Sequence, residues 1–311
     1  MGVAASGAVD VGRREVLCRQ MTIRWPRRSG IVIVVTFGAV ACSGPGETST
    51  PPESVPTPSP SPTRTTDADT IEGVFDIGDG RSLYLRCTGT GSPTVVLEGG
   101  DGDDSSSYLF AEASLAELTR TCVYDRANLG MSDPAPGPRG LDDLVGDLEG
   151  LLDVAEVPAP YVLVGTSGGG FIAAGYAVEH PQDVAGMVFI DTGQPLEDPP
   201  AEIVEFTAWD HPENVEQRDY LQVENDAWDA RTRIGDIPVT VVSVEYSKEE
   251  IAESPFPAEQ AAMRQNVERQ RGWLVLSPRA EQIVVHTGHA VEEEDPQLVI
   301  DVISDVVRAA R

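Results

Sequence analysis

Short apolar runs rich in β-branched residues alternate with helical patterns over most of the chain beyond residue 71. The runs that predict strands are 82–87, 94–98, 122–124, 161–164, 186–190, 239–244 and 281–285. The segments with apolar residues at helical spacing are 111–120, 141–155, 171–180 and 298–307. Continuous apolar strands separated by helices indicate a mostly parallel sheet with helices on both faces. The pattern therefore predicts one α/β domain over residues 71–311.

Two long segments interrupt this alternation. The first, residues 193–236, lies between two predicted strands, is acidic and carries Trp209 and Trp228. Insertions of this length inside a compact domain are usually lids or binding loops. We therefore predict a small helical cap over the ends of the strands, here called the cap segment. The second, residues 246–272, is predicted to hold one further helix.

The first 41 residues have the pattern of an export signal. Arg24, Arg27 and Arg28 precede the apolar run 31–35, and small residues follow at 39–41. The apolar run is too short to span a bilayer and has the proportions of a signal peptide. We expect residues 1–41 to be removed and the rest to work outside the cytoplasm. The alternatives are an ordinary secretory signal that is cleaved near Ala41 and gives a secreted protein, and an uncleaved anchor.

Residues 42–70 are dominated by Pro, Ser and Thr. Such a composition cannot bury a core and is typical of an extended linker. The predicted order is therefore a signal peptide, a linker that acts as a tether, and one globular domain.

The chain is strongly acidic, with a formal net charge of −29 that becomes more negative without the arginine-rich leader. The electrostatic field of a protein with this charge repels nucleic acid and anionic lipid headgroups. We therefore expect neither nucleic acid nor an anionic lipid headgroup as a direct ligand.

Of the four cysteines, Cys87 and Cys122 lie in the predicted globular domain. An exported protein with two such cysteines favours a disulfide between them, and a buried pair of free thiols is the alternative. Their spacing matches no metal-binding pattern, so no metal is predicted.

The sequence Gly165-Thr166-Ser167-Gly168-Gly169 stands between a predicted strand and a predicted helix. This is the context of a nucleophile elbow, in which a sharp turn exposes the serine at the end of a sheet. The glycines allow a strained turn and close packing. A glycine-rich turn with an idle serine is the alternative.

A serine nucleophile needs a base, so the four histidines are the next candidates. His289 lies in the loop after the last predicted strand and before the closing helix. His286 competes but lies closer to the strand. His180 precedes Pro181 at a helix end, and His211 belongs to the cap segment.

Five short motifs follow one another along the predicted domain. They are Glu98-Gly99-Gly100, Tyr124-Asp125-Arg126 with Gly130 and Ser132, the Ser167 pentapeptide, Val188-Phe189-Ile190-Asp191 and Gly288-His289. With them the chain resembles the α/β-hydrolases of the broad esterase, lipase and peroxidase-like group, in particular lipoprotein members from actinobacteria. Small residues before Cys42 resemble a lipobox, which implies that Cys42 is lipidated and anchors the protein to the outer face of the cell membrane.

The resemblance implies a role for each site residue. Ser167 would be the nucleophile, His289 the base and Asp191 the acid, with Glu245 as the alternative acid and Glu249 or Glu250 further along. The amides of Gly168 and Asp101 would hold the oxyanion, with Gly100 as an alternative to Asp101. The implied sheet order also puts the strand ending at Cys87 beside the strand starting at Cys122.

The expected function is therefore that of an exported, lipid-tethered serine hydrolase that cleaves carboxylic esters of a small-molecule acyl substrate without a cofactor. Two alternatives remain open. One is a catalytically silent binding or envelope protein that keeps the fold. The other is a peroxidase-like activity on the same triad.

Overall fold

The computed structural model of the protein describes residues 65–67 and 69–311. The predicted signal peptide, most of the predicted linker and Cys42 lie outside these residues. The first strand begins at Thr65, a few residues ahead of the predicted domain boundary at residue 71.

A nine-stranded sheet forms the centre of the described part of the chain. Its strands are β1 Thr65–Asp67, β2 Thr70–Gly78, β3 Arg81–Thr88, β4 Thr94–Glu98, β5 Thr121–Tyr124, β6 Tyr161–Thr166, β7 Val184–Ile190, β8 Pro238–Val244 and β9 Arg279–Val285. Their order across the sheet is β1-β2-β3-β5-β4-β6-β7-β8-β9. The pairs from β5 through β9 are parallel, and the pairs among β1, β2, β3 and β5 are antiparallel.

Ten α-helices connect and cover these strands in the described residues. They are α1 Leu109–Ala116, α2 Leu141–Val154, α3 Gly169–Glu179, α4 Ala201–Phe206, α5 Tyr220–Ala230, α6 Lys248–Glu253, α7 Pro257–Met263, α8 Asn266–Gln270, α9 Val291–Glu294 and α10 Pro296–Ala309. Two short 3-10 helices in the same part of the chain span Ser105–Tyr108 and Arg271–Leu276.

Hydrophobic cores lie on both faces of the sheet. Apolar residues of α2 and α3 pack on one face together with Trp273. Residues of α1 and α10 pack on the other face. Every residue of the central strands β4, β5 and β6 is buried, because a parallel strand at the middle of the sheet has helices above and below it. The predicted α/β sheet with helices on both faces is confirmed.

Cys87 and Cys122 lie directly opposite each other on the antiparallel pair β3 and β5. Their sulfur atoms are 2.08 Å apart, and both residues are buried. The structure joins them in a disulfide, as predicted.

The two long segments both contain helices. The cap segment carries α4 and α5 between β7 and β8. The prediction of one helix in the second segment is wrong, because three short helices form there. Two of them have their own start signals: the Ser247 hydroxyl accepts a hydrogen bond from the Glu250 amide, and α7 begins with Pro257. No helix of the described chain is long and apolar enough to cross a membrane.

Candidate active site

Ser167 stands at the turn between β6 and α3 with a backbone φ of 48°, a left-handed conformation that is uncommon for a residue with a side chain. Its amide donates a hydrogen bond to the Ile190 carbonyl at 2.8 Å. A Cβ on Gly165 would lie 2.4 Å from the Gly170 Cα, and one on Gly169 would lie 2.3 Å from the Gly99 carbonyl oxygen. Close packing around the turn therefore requires glycine at both positions.

His289 reaches this serine from the loop between β9 and α9. Its Nε2 lies 2.9 Å from the Ser167 Oγ, which is hydrogen-bonding distance. The histidine side chain is about half exposed and faces the same cavity as the serine. The structure thus brings together two residues that are 122 positions apart in the sequence.

Asp191 continues the chain of contacts from the end of β7. Its Oδ2 lies 2.7 Å from the His289 Nδ1, and its side chain is only 1% exposed. Asp191 also has a positive φ of 46°, which marks a sharp bend at the end of the strand. The carboxylate is therefore placed to orient the imidazole from the side opposite Ser167.

Four further donors surround the Asp191 carboxylate. Its Oδ1 accepts hydrogen bonds from the Val244 amide at 3.1 Å, the Asn266 side chain at 2.7 Å and the Gln270 side chain at 2.7 Å. The Tyr246 hydroxyl donates to Oδ2 and lies 3.2 Å from the His289 Nδ1. The sequence reasoning missed these partners. The signal available for two of them was the spacing of four residues between Asn266 and Gln270, which puts both side chains on one face of α8.

The two titratable partners shift each other's pKa. Burial opposes ionisation of Asp191, but the hydrogen bond and charge of His289, together with the hydrogen bonds from Tyr246 and Asn266, outweigh it and hold the pKa of Asp191 below its usual value. Desolvation of the ring likewise opposes protonation of His289. The hydrogen bond and charge of Asp191 outweigh that effect and raise the pKa of His289 above its usual value.

The structure does not bring Glu245 to His289. The Glu245 carboxylate lies 3.3 Å from the His286 Nδ1, and both side chains are exposed. Glu250 lies at the start of α6, where its carboxylate accepts a hydrogen bond from the Ser247 amide at 2.8 Å. Of the acids considered from the sequence, the geometry favours Asp191.

The loop of residues 99–102 lies against the turn that carries Ser167, and we call it the oxyanion loop. A Cβ on Gly100 would lie 3.7 Å from the Ser167 Cβ. A Cβ on Gly168 would lie only 1.7 Å from Asp101 Oδ1, so the Asp101 carboxylate rests directly on Gly168. Both predicted oxyanion residues are therefore beside the serine, and the acidic side chain of Asp101 is there as well.

A cavity of about 360 Å³ opens at Ser167 and His289. Its apolar wall comes from α3, the cap segment and the second segment, and includes Phe171, Leu196, Ile203, Phe206, Leu221, Phe256 and Met263. Charged side chains also line the cavity, and Glu224 is one of them. Burial and the nearby Asp101 charge raise the pKa of Glu224 to about 7. In the described residues, no group of three or more His, Cys, Asp or Glu side chains is arranged to hold a metal ion.

Residues 93–232 match the family described as the alpha/beta hydrolase fold. The chain is 34% identical over 146 residues to the "Probable transporter efuK" of Hormonema carpetanum, a match that covers 44% of this chain and 21% of that protein. It is 34% identical over 109 residues to the pimeloyl-[acyl-carrier protein] methyl ester esterase of Shewanella woodyi, covering 35% of this chain and 39% of that enzyme. The chain thus spans well under half the length of these relatives.

A solved structure extends the similarity over more of the chain. The thermophilic esterase from Thermogutta terrifontis matches 78% of this chain and 98% of its own, with a TM-score of 0.59 and 20% sequence identity. At this identity the likeness is one of fold. The sheet order, the turn after β6 and this match together identify the fold as that of the α/β-hydrolases.

Proposed function

We propose that this protein, whose fold is that of the α/β-hydrolases, is a serine hydrolase that cleaves a carboxylic ester of a small-molecule acyl substrate. One observation carries the proposal: an unbroken hydrogen-bonded chain runs from Ser167 Oγ to His289 Nε2 at 2.9 Å and from His289 Nδ1 to Asp191 Oδ2 at 2.7 Å. This is the arrangement that makes a serine hydroxyl nucleophilic.

The reaction follows from the geometry. Ser167 Oγ attacks the acyl carbonyl carbon while His289 Nε2 takes the hydroxyl proton, and Asp191 stabilises the imidazolium that forms. The tetrahedral intermediate collapses, its bond to the leaving alcohol breaks, and His289 returns the proton to that alcohol. Water then attacks the acyl-enzyme with His289 again as base, which releases the acid and restores Ser167.

The developing oxyanion needs preorganised donors. We assign this role to the backbone amides of Gly168, at the start of α3, and of Asp101 in the oxyanion loop. Both positions adjoin Ser167, as the close approaches of Asp101 to Gly168 and of Gly100 to Ser167 indicate.

Two observations are compatible with an ester substrate. The cavity at Ser167 has a mostly apolar wall that suits an acyl chain, and its volume of about 360 Å³ is in the range of small-molecule sites. Two proteins named as esterases are among those that the chain resembles. Neither similarity carries a particular substrate over to this protein.

Labelling with a fluorophosphonate tests the proposal. We expect the wild-type protein to hydrolyse short-chain p-nitrophenyl esters without added peroxide and to gain one phosphonyl adduct on Ser167. Ser167→Ala should lose both properties, whereas Ser114→Ala, a change at an exposed position on α1, should keep both. A folded wild-type protein that forms no Ser167 adduct would instead be a silent member of the fold.

The pH profile gives a second check. His289 must be neutral to accept the serine proton, and Asp191 raises its pKa above the ordinary value. We therefore expect kcat/KM to fall as the pH drops through an apparent pKa above about 6.5, the unperturbed value for histidine. Because Glu224 titrates near 7 in the same cavity, the profile is also measured for Glu224→Gln. The acidic limb should persist in that variant, and its disappearance would assign the limb to Glu224.

We also propose that the protein is exported and that Cys42 carries a lipid. The basic residues, the apolar run and the small residues before Cys42 support this. Mass analysis of the N-terminus of the cell-associated protein tests it. The expected product begins at Cys42 with a diacylglyceryl group, and an unmodified residue 42 would contradict the lipid anchor.

A further inference from the structure

The carboxylate of Asp101 lies where negative charge opposes the proposed reaction. It rests on Gly168, the residue that follows the nucleophile, so close that a Cβ there would collide with Asp101 Oδ1. An oxyanion that forms beside Ser167 would be repelled by this charge, since like charges a few ångströms apart repel each other. A working site therefore needs a positive group to cancel the Asp101 charge.

Arg218 of the cap segment supplies this positive group. It is a fully buried arginine, and its Nη2 donates a hydrogen bond to Asp101 Oδ1. Its guanidinium carbon lies 4.6 Å from the centre of the Tyr220 ring, which holds the group by a cation–π contact. The two paired residues are 117 positions apart in the sequence.

Glu216, two residues earlier, fixes the backbone of the oxyanion loop. Its Oε1 accepts a hydrogen bond from the Gly102 amide at 2.7 Å. Its carboxylate also accepts two hydrogen bonds from Arg126, at 2.7 and 2.9 Å. Arg126 in turn donates to the Gly99 carbonyl at 2.7 Å and the Gly100 carbonyl at 2.6 Å. With these carbonyls held, the peptide planes of the loop have little freedom to rotate, so the direction of the following amide is fixed as well.

Glu216 keeps its negative charge over the working pH range. Burial opposes ionisation of Glu216, but the charges of Arg126 and Arg218 outweigh it and lower the pKa of Glu216 to about 2. Arginine stays protonated in proteins. Glu216 therefore stays ionised, and keeps its hydrogen bonds to Arg126 and Gly102, wherever His289 is active.

Residues 214–219, which we call the cap arm, are attached to the body of the domain. The Asn128 side chain donates to the Glu216 carbonyl at 3.0 Å. Backbone hydrogen bonds at 3.0 Å join Arg139 to Gln217 and Asp219 to Arg139. The cap arm is thus fixed against the body of the domain, and Glu216 and Arg218 are held at defined positions.

The geometry points to a specific role for the cap arm, one that rests on the proposed hydrolase function: it completes the oxyanion site. Arg218 neutralises the Asp101 carboxylate, and Glu216, through Arg126 and Gly102, holds the loop that carries the second oxyanion donor. Both are positioning residues, since each acts through the oxyanion loop. This explains how an acidic residue is compatible with this position.

Removing the charge of Arg218 tests the inference. We expect Arg218→Gln to lower kcat for a p-nitrophenyl ester by about 100-fold, the effect of losing one oxyanion donor, with little change in KM. Arg218→Lys keeps the positive charge beside Asp101 but loses the planar stacking on Tyr220, so its kcat should lie between those of Arg218→Gln and the wild type. The rate of fluorophosphonate inactivation should fall in parallel with kcat, since the phosphonyl transition state also carries an anionic oxygen.

A second substitution separates charge from folding. Adding Asp101→Asn to Arg218→Gln removes the uncompensated carboxylate, and kcat should recover by about tenfold or more. Arg86→Gln is the matched control, because it removes an arginine from a bidentate pair with Glu112 on another part of the sheet. All variants are compared below their own unfolding temperatures, with circular dichroism as the measure of folding.

The outcomes distinguish this inference from the function on which it rests. An Arg218→Gln protein that is folded and as fast as the wild type would overturn the inference and leave the serine hydrolase in place. A loss that Arg218→Lys shares in full, or that Asp101→Asn does not relieve, would also overturn it. Absence of both hydrolysis and labelling in the wild type would remove the proposed function itself, and the inference with it.

Discussion

Replacing Asp191 with asparagine should lower kcat by about 10⁴-fold, because the neutral amide no longer stabilises the imidazolium and favours the wrong histidine tautomer. The effect should be this large because the carboxylate is buried and lies 2.7 Å from the His289 Nδ1. The pKa of His289 should also fall, since the hydrogen bond and charge of Asp191 are what raise it. Steady-state kinetics with a p-nitrophenyl ester across pH 5 to 9 would measure both changes.

Glu245→Gln is the matched control for this experiment. Glu245 is the competing acid from the sequence, but its carboxylate pairs with the exposed His286. We therefore expect kcat of Glu245→Gln to stay close to that of the wild type. A large loss in Glu245→Gln together with a small loss in Asp191→Asn would reverse the assignment of the acid. Thermal unfolding of both variants shows whether the donors around Asp191 tolerate the amide.

The central strands could be predicted because burial on both faces of the sheet requires apolar residues at consecutive positions. Strands β4, β6 and β8 are buried along their whole length, so their apolar runs are continuous. Strand β2, which lies beside the edge strand β1, was not predicted, because its residues are a mixture of partly buried and exposed positions and it starts inside a polar segment. Pairing with β3 along the whole strand, rather than its composition, determines its structure.

The resemblance to the α/β-hydrolases implied which residues meet at the site, with Glu245 left open as the alternative acid. Ser167, Asp191 and His289 each follow a predicted strand, and the carboxyl ends of parallel strands lie along one edge of the sheet. The structure brings these three side chains together. Their catalytic roles stay a prediction that the labelling and kinetic experiments test.

The supporting residues could not be predicted in the same way. Tyr246, Asn266 and Arg218 contact the site from the two long segments, in which predicted strands and helices do not alternate. Each contact joins positions at least 55 residues apart, and nothing local in the sequence marks either partner. The acidic Asp101 therefore stands out as an anomaly in the sequence and is explained only when Arg218 is placed beside it.

Removing the disulfide should cost about 4 kcal/mol of unfolding free energy in the double variant Cys87→Ala/Cys122→Ala. The bond closes a loop with a sequence separation of 35 residues. By the chain-entropy relation, closing a loop of that length destabilises the unfolded chain by about 4 kcal/mol. Urea unfolding followed by tryptophan fluorescence measures the change, which should appear as a lower midpoint.

Reduced wild-type protein is the control that isolates the crosslink from the side chains. If the stabilisation comes from the closed loop, the reduced wild type and the double variant should unfold at similar urea concentrations, both well below the oxidised protein. Cys87 and Cys122 lie directly opposite each other within a paired ladder, so β3 and β5 can stay paired without the bond at low denaturant. An oxidised protein no more stable than either reference would show that strand pairing alone fixes this part of the sheet.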